Sequence, residues 1–155
     1  MVGLPTLGVE VPFRWRDWAG AGMPVLTGVM DRIALAADGA NLILDYKTNH
    51  TMSAVEMEHY FHQLRLYAMA LEATHDPGAV PARAALVLLR KGDVVEVDCS
   101  TQAKRHTLDW ASSLASSIGG GGQLSGLSHP KRPCSTCQFQ PVCPERRTEP
   151  GQPTS

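Results

Sequence analysis

The chain has 155 residues, 43% of them hydrophobic, a length and content that fit one core-forming domain with a small appendage. Its formal net charge of −1 excludes a generally basic nucleic-acid-binding protein, so any such contact needs a local basic patch. No apolar run approaches the roughly 20 residues of a membrane helix, and no signal peptide is recognisable, so we expect a cytoplasmic protein without membrane contact.

Hydrophobic periodicity predicts three strands, a long helix, two more strands and a second helix. Ser53 and Glu56 have the spacing of a capping box, and the helix that they open should end near His75. The predicted bounds are Gly8–Arg16, Val25–Leu35, Asn41–Lys47, Ser53–His75, Ala84–Arg90, Val94–Val97 and Thr101–Ile118. This order predicts an α/β fold in which a mixed β-sheet is flanked by helices.

Composition divides the chain into four segments. Residues 8–118 hold all the predicted elements, and residues 119–128 begin with four glycines that predict a linker. Residues 129–147 carry three of the four cysteines and form a predicted Cys-rich tail, and we expect residues 148–155 to be disordered.

The sharpest group of polar residues lies on the second and third predicted strands. Asp45 and Lys47 are two residues apart, so both point to one face of the sheet. A three-residue loop over residues 38–40 would place Asp31 opposite Lys47 and diagonal to Asp45. Two carboxylates and the carbonyl of Tyr46 would suit Mg²⁺ or Mn²⁺, and Lys47 would stabilise developing negative charge during phosphodiester hydrolysis. Taken alone, the pair also fits an exposed strand with a surface ion pair, but its buried lead-in argues against this.

Two polar residues on the first predicted helix share one face. Gln63 and Tyr67 are four residues apart, and Gln63 lies at the edge of the apolar stripe. An amide and a hydroxyl can hydrogen-bond a phosphate, a base or a metal-bound water. The alternative interpretation is a boundary glutamine and a core tyrosine.

The cysteines of the tail have the spacing of metal ligands. Cys134, Cys137 and Cys143 suit an iron–sulfur cluster, or zinc completed by His129 or an outside ligand, and three free thiols are the remaining alternative. We interpret Cys99 as a small buried residue rather than a fourth ligand. A local basic patch for DNA, or else a solvated end, is formed by Lys131, Arg132, Arg146 and Arg147.

These pieces together resemble the RecB-type branch of the PD-(D/E)XK nuclease superfamily. The matching segments, which run from about Val9 to Cys143, are VEVPF with Glu10, GVMDRI with Asp31, DYKT with Asp45 and Lys47, QLRLYA with Gln63 and Tyr67, and the three cysteines of the tail. Similar domains end AddB-type helicase–nuclease subunits, and CRISPR-associated RecB-like exonucleases are close kin. The resemblance implies a restriction-endonuclease-like fold and divalent-metal-dependent DNA cleavage, usually exonucleolytic.

The resemblance also implies a role for each matching residue. Asp31 and Asp45 correspond to metal-binding carboxylates, Lys47 to the lysine of the (D/E)-x-K pair, and Gln63 and Tyr67 to a motif that positions DNA. The role of Glu10 is the least defined.

The cysteines Cys134, Cys137 and Cys143 correspond to the last three ligands of a 4Fe–4S cluster. The family's first cysteine lies well upstream of the first-strand glutamate, and only nine residues precede Glu10 here. We therefore expect a domain that depends on a missing N-terminal part, or on a helicase, CRISPR or repair subunit.

Two other functions remain open from the sequence. One is a non-catalytic DNA-binding or scaffolding remnant of the same fold. The other is a small zinc-stabilised interaction module, which leaves the DYKT and QLRLYA segments unexplained.

Overall fold

A computed structural model describes residues 3–48, 52–74 and 81–119, with residues 118 and 119 described by their backbone alone. The elements are β1 (Thr6–Trp15), β2 (Leu26–Leu35), β3 (Asn41–Lys47), α1 (Ala54–Thr74), β4 (Arg83–Leu88), β5 (Asp93–Val97) and α2 (Thr101–Gly119). The predicted order, the element types and the α/β class are confirmed, and no predicted boundary is off by more than two residues. The predicted linker begins at Gly119, which the structure places at the end of α2. The rest of the linker and the Cys-rich tail lie outside the described residues, so the four-segment division stays a prediction.

The sheet has the strand order β1-β2-β3-β4-β5. Every neighbouring pair is antiparallel except β3 and β4, which are parallel and are connected through α1. A parallel pair needs a crossover of this kind, since its strands begin at the same edge. The continuous apolar run of β3 predicted a central strand, and Leu42, Ile43 and Leu44 are all buried.

The hairpin between β2 and β3 has a three-residue loop, but not at the predicted position. The N–H of Ala36 donates to the carbonyl of Ala40, so the loop comprises residues 37–39 instead of 38–40. Gly39 has φ 82°, the left-handed conformation that the last residue of such a loop adopts and that only glycine adopts at no steric cost. The glycine therefore has to be the last residue of the loop, which starts the loop one residue earlier than predicted.

The core is divided between the two faces of the sheet. Under α1, Ile33, Ile43 and Leu86 pack against Leu64 and Leu71 of the helix. A separate cluster covers the opposite face and contains Ala34, Ala36, Ala40, Leu42, Leu44 and Ala85. Any polar side chain on this face of the sheet therefore lies next to α1.

Helix α1 begins with the predicted capping box. The backbone N–H of Ser53 donates to Oε2 of Glu56 at 2.8 Å, and the N–H of Glu56 donates to Oγ of Ser53 at 3.2 Å. Neither described helix has the length and apolarity needed to cross a bilayer.

Helix α2 packs on the side of α1 that faces away from the sheet. Nδ1 of His62 lies 2.9 Å from Oγ1 of Thr107, and both residues are buried. The His62 ring stacks on Trp110 with 4.5 Å between centroids. The helix α1 is thus held between the sheet and α2.

Candidate active site

Asp31, Asp45 and Lys47 lie on the face of the sheet that α1 covers. Asp45 and Lys47 alternate with Ile43, which packs under the helix. The ladder between β2 and β3 ends at the pair Arg32–Leu44, so its register places Asp31 level with Asp45. The prediction that Asp31 lies opposite Lys47 is wrong, because the hairpin loop starts one residue earlier. In the observed register Asp31 is directly across from Asp45, whereas the predicted register placed the two carboxylates diagonally.

Beyond the end of the ladder, a hydrogen bond from the β3 backbone to a β2 side chain joins the two strands. The N–H of Tyr46 donates to Oδ2 of Asp31 at 2.9 Å. The side chain of Asp31 therefore replaces a strand-to-strand hydrogen bond and is held against the backbone between the two other site residues of β3.

Strand β2 changes face at Asp31. Met30 packs under α1, yet Nη1 of Arg32 lies 3.3 Å from the hydroxyl of Tyr46, which packs on the opposite face. Residues two apart in a regular strand share a face, so the strand is irregular between them. Glu10 is level with Asp31 on β1 and has φ 50°, which is sterically costly for a residue other than glycine. Backbone strain of this kind is typical of functional sites.

Asp45 is a buried carboxylate with an ionic neighbour. Its exposed fraction is 3%, and Nζ of Lys47 lies 2.6 Å from its Oδ2. No donor in the described part of the chain other than Lys47 bonds to Oδ2. Burial raises the pKa of the Asp45 carboxyl because the charged form is poorly solvated, while Lys47 opposes the shift and the charge of Asp31 adds to it. The atom Oδ2 is thus a buried acceptor with unused capacity.

Lys47 extends from the end of β3 toward α1. Its Nζ lies 4.6 Å from the centroid of the Tyr60 ring, and its side chain is 21% exposed. Its backbone carbonyl accepts a hydrogen bond from the N–H of Leu89, which fixes the strand end. The ammonium is therefore anchored on one side by a carboxylate and on another by an aromatic face.

Gln63 and Tyr67 are joined by a hydrogen bond on α1. Nε2 of Gln63 donates to the Tyr67 hydroxyl at 2.7 Å. Burial raises the pKa of the Tyr67 hydroxyl, and the hydrogen bond from Gln63 opposes that shift. The hydroxyl therefore stays protonated at neutral pH and keeps its proton for donation to a further acceptor.

The position of Tyr67 depends on two residues of the first two strands. Phe13 contacts the Tyr67 ring edge to face with 5.3 Å between centroids. A Cβ atom on Gly28 would lie 2.6 Å from Cε1 of Phe13 and 3.3 Å from Cε1 of Tyr67. The absence of a side chain at Gly28 thus makes room for this aromatic pair.

The donor set of this site fits a hard divalent cation. Asp31 and Asp45 supply carboxylate oxygens, and Oδ2 of Asp45 is buried with the Lys47 ammonium as its one partner among the described donors. Within the part of the chain that the structure describes, no group of three or more His, Cys, Asp or Glu side chains is placed to hold a metal ion. A cation here would thus need oxygens from water, substrate or backbone besides the two carboxylates.

Sequence reasoning did not single out Tyr60 and missed its contact with Lys47. The signal available was the spacing, because Tyr60 precedes Gln63 by three residues and Tyr67 by seven and so shares their face. Cys99 is partly buried against the core under α1, and burial raises the pKa of its thiol, as suits a packing residue. The tail residues Cys134, Cys137, Cys143, His129, Lys131, Arg132, Arg146 and Arg147 all lie outside the described residues.

Comparison with known proteins gives one family and one fold likeness. A model of the PD-(D/E)XK nuclease superfamily matches residues 3–144 of the chain. No curated protein sequence matches significantly. A solved structure titled "Crystal structure of SSO0001" is similar with a TM-score of 0.57 and 17% sequence identity, over 91% of this chain and 62% of that one. The chain thus spans less than two thirds of that protein, and at this identity the likeness concerns the fold alone.

Proposed function

The chain belongs to the PD-(D/E)XK nuclease superfamily, and we propose from this that it is a divalent-metal-dependent DNA exonuclease. Members of the superfamily are generally nucleases, which hydrolyse phosphodiester bonds. The observation that carries the proposal is the buried Asp45 carboxylate. Nζ of Lys47 lies 2.6 Å from its Oδ2, and the strand register places Asp31 across from it. A buried carboxylate with a raised pKa costs stability, so its presence favours a functional role.

Each site residue takes a role that its chemistry permits. Asp31, Asp45 and the carbonyl of Tyr46 hold Mg²⁺ or Mn²⁺, which when bound polarises the phosphate and lowers the pKa of a water ligand. Lys47 stabilises negative charge that develops on the phosphate oxygens. Gln63 and Tyr67 form a hydrogen-bonded pair whose remaining donors contact the DNA backbone or a base.

The RecB-like branch is the finer assignment. It is supported by the order of the sequence segments DYKT and QLRLYA and by the spacing of Cys134, Cys137 and Cys143. In this proposal the three cysteines bind a 4Fe–4S cluster with a fourth ligand from elsewhere, and the nuclease works with a helicase, CRISPR or repair subunit or with a further part of its own protein. Replacement of Cys137 by Ser should then remove bound iron and sulfide and lower the melting temperature. Zinc in place of iron would support the zinc alternative.

A non-catalytic DNA-binding domain is the second candidate. It is favoured by the ion pair between Lys47 and Asp45, since the ammonium occupies the carboxylate oxygen that a metal ion would need. The two candidates make opposite predictions for catalysis and the same prediction for DNA binding.

The deciding experiment is degradation of end-labelled single- and double-stranded DNA by the anaerobically purified chain. It compares Mn²⁺ with EDTA, and wild type with Lys47→Ala. Cleavage that requires the metal and is lost in the variant supports the nuclease, and the release of mononucleotides from ends identifies an exonuclease. Tight DNA binding by a folded chain without cleavage supports the non-catalytic domain.

A further inference from the structure

The Lys47 ammonium lies between two groups of different character. The carboxylate of Asp45 is 2.6 Å from Nζ, and the centroid of the Tyr60 ring is 4.6 Å from it. Tyr60 is half-buried against the core under α1, three residues before Gln63. The face of an aromatic ring attracts a cation, and the attraction increases where water is excluded. The roles assigned so far leave this contact unused.

We propose that Tyr60 is a positioning residue whose ring keeps the Lys47 ammonium at the site when a divalent cation takes the Asp45 carboxylate. The inference rests on the proposed function, because it concerns the residues that meet the metal and the reacting phosphate. It adds a residue that contacts neither of them.

The electrostatics of metal binding make such a residue necessary. A divalent cation at Asp45 would compete with Lys47 for Oδ2 and would also repel the ammonium. Lysine has a flexible four-carbon stem, and this side chain is 21% exposed, so a route into water is open to it. Without a second attachment, the ammonium would leave the site at the moment when its charge is needed.

The Tyr60 ring provides that second attachment. It is uncharged, so a metal ion at Asp45 does not compete with Lys47 for it. It is carried by α1, which is packed between the sheet and α2, so the ring is fixed by the core and not by the Asp45 carboxylate. Lys47 therefore has one partner that a metal ion replaces and one that it does not.

Phe61 offers a matched control for core packing. It is the next residue on α1 and packs against the same cluster, but its ring lies 5.8 Å from the guanidinium of Arg65 and not under Lys47. Loss of either aromatic ring should cost a similar amount of stability, whereas only loss of Tyr60 should affect Lys47.

The first test measures DNA hydrolysis with Mn²⁺ by the full chain. We expect Tyr60→Leu to lower kcat about 10-fold, which corresponds to about 1.4 kcal/mol, with the KM for DNA unchanged. Tyr60→Phe keeps the ring face and should restore kcat, and Phe61→Leu should not reproduce the loss. If Tyr60→Leu does not fold, Tyr60→Met replaces it. Equal losses in Tyr60→Leu and Tyr60→Phe, or an equal loss in Phe61→Leu, would overturn the inference.

The second test measures Mn²⁺ binding by calorimetry in the absence of DNA. Lys47→Met should tighten binding because the competing ammonium is gone, and Tyr60→Leu should tighten it to a smaller extent, because an ammonium that the ring no longer holds can move away from the cation. The double variant should bind like Lys47→Met, since the ring matters only through the lysine. An effect of Tyr60→Leu that is the same in both backgrounds would overturn the inference. A wild-type chain that binds Mn²⁺ and cleaves DNA without this coupling leaves the proposed function intact, and a folded chain that does neither overturns both.

Discussion

The backbone N–H of Tyr46 donates to Oδ2 of Asp31, where Asp31 is one residue and Tyr46 two residues past the last paired position of β2 and β3. A side chain thus continues the ladder after the backbones have separated. The contact uses one oxygen of Asp31 for structure, and it holds this carboxylate against the backbone next to Asp45.

This contact predicts that two substitutions of Asp31 will differ in stability. Asp31→Ala leaves the Tyr46 N–H without its acceptor and should lower the free energy of unfolding by about 1–3 kcal/mol. Asp31→Asn keeps an acceptor oxygen and should cost much less, although both variants should lose metal-dependent cleavage. Urea denaturation checks the difference, and equal stabilities for the two variants would show that the hydrogen bond contributes little.

Asp45→Asn should stabilise the metal-free protein at neutral pH. Because burial raises the pKa of Asp45 in the folded state, the folded state binds the proton more tightly than the unfolded state. The free energy of unfolding therefore falls as pH rises from the ordinary aspartate pKa of about 3.9 through the raised one, and the cost is complete above it. An uncharged amide should remove the cost and raise the melting temperature in EDTA by about 2–4 °C at pH 7–8.

The same variant gives a readout of metal binding. Mn²⁺ should raise the melting temperature of the wild type, because a ligand of the folded state stabilises it, and should not raise that of Asp45→Asn. A variant that is less stable than wild type in EDTA at neutral pH would contradict the view that the carboxylate is destabilising.

Gly28→Ala should disturb the candidate DNA contact from a distance. The new Cβ would lie 2.6 Å from Cε1 of Phe13, so the Phe13 ring must move, and the Tyr67 ring in contact with it must follow. We expect a loss of about 1–3 kcal/mol of stability and weaker DNA binding. Gly3→Ala is the control, because nothing lies within 4 Å of the Cβ it would add. Wild-type DNA binding by Gly28→Ala would mean that the position of Tyr67 is unimportant for binding.

The contact between α1 and α2 should make the protein sensitive to acid. Burial lowers the pKa of His62, with Glu58 opposing the shift and Arg65 and His106 adding to it. The unfolded state then binds a proton before the folded state does, so the free energy of unfolding falls as pH drops from the ordinary histidine value of about 6.5 through the lowered one. His62→Gln should reduce the difference in stability between about pH 7 and pH 5, measured by urea denaturation. His106→Gln should change that difference much less, since His106 is exposed and is a smaller cause of the lowered pKa than burial.

The sequence predicted the elements well because local patterns determine them. The apolar run of β3 and the capping box of α1 are each contained within a few residues, and both were placed within one residue. The hairpin loop was misplaced by one residue because Ala37, Asp38, Gly39 and Ala40 offer two three-residue loops, and only the backbone conformation of Gly39 selects between them.

The site was predicted in part for a related reason. The side chains of Asp45 and Lys47 share a face by the alternation of a strand, and those of Gln63 and Tyr67 by the periodicity of a helix. The contact between Lys47 and Tyr60 joins a strand to a helix, and the face change at Asp31 depends on the neighbouring strand, so neither has a local signature.

The alanines buried under α1 act as spacers for the whole site. Ala68 on the helix and Ala84 on β4 have no exposed surface, and small side chains at such positions allow a helix to lie close against a sheet. The separation between α1 and β3 is therefore fixed in the core, while the residues that meet across it are at the rim. A bulkier residue at either alanine would widen the gap that Lys47 bridges, and it would change the site without touching any of its members.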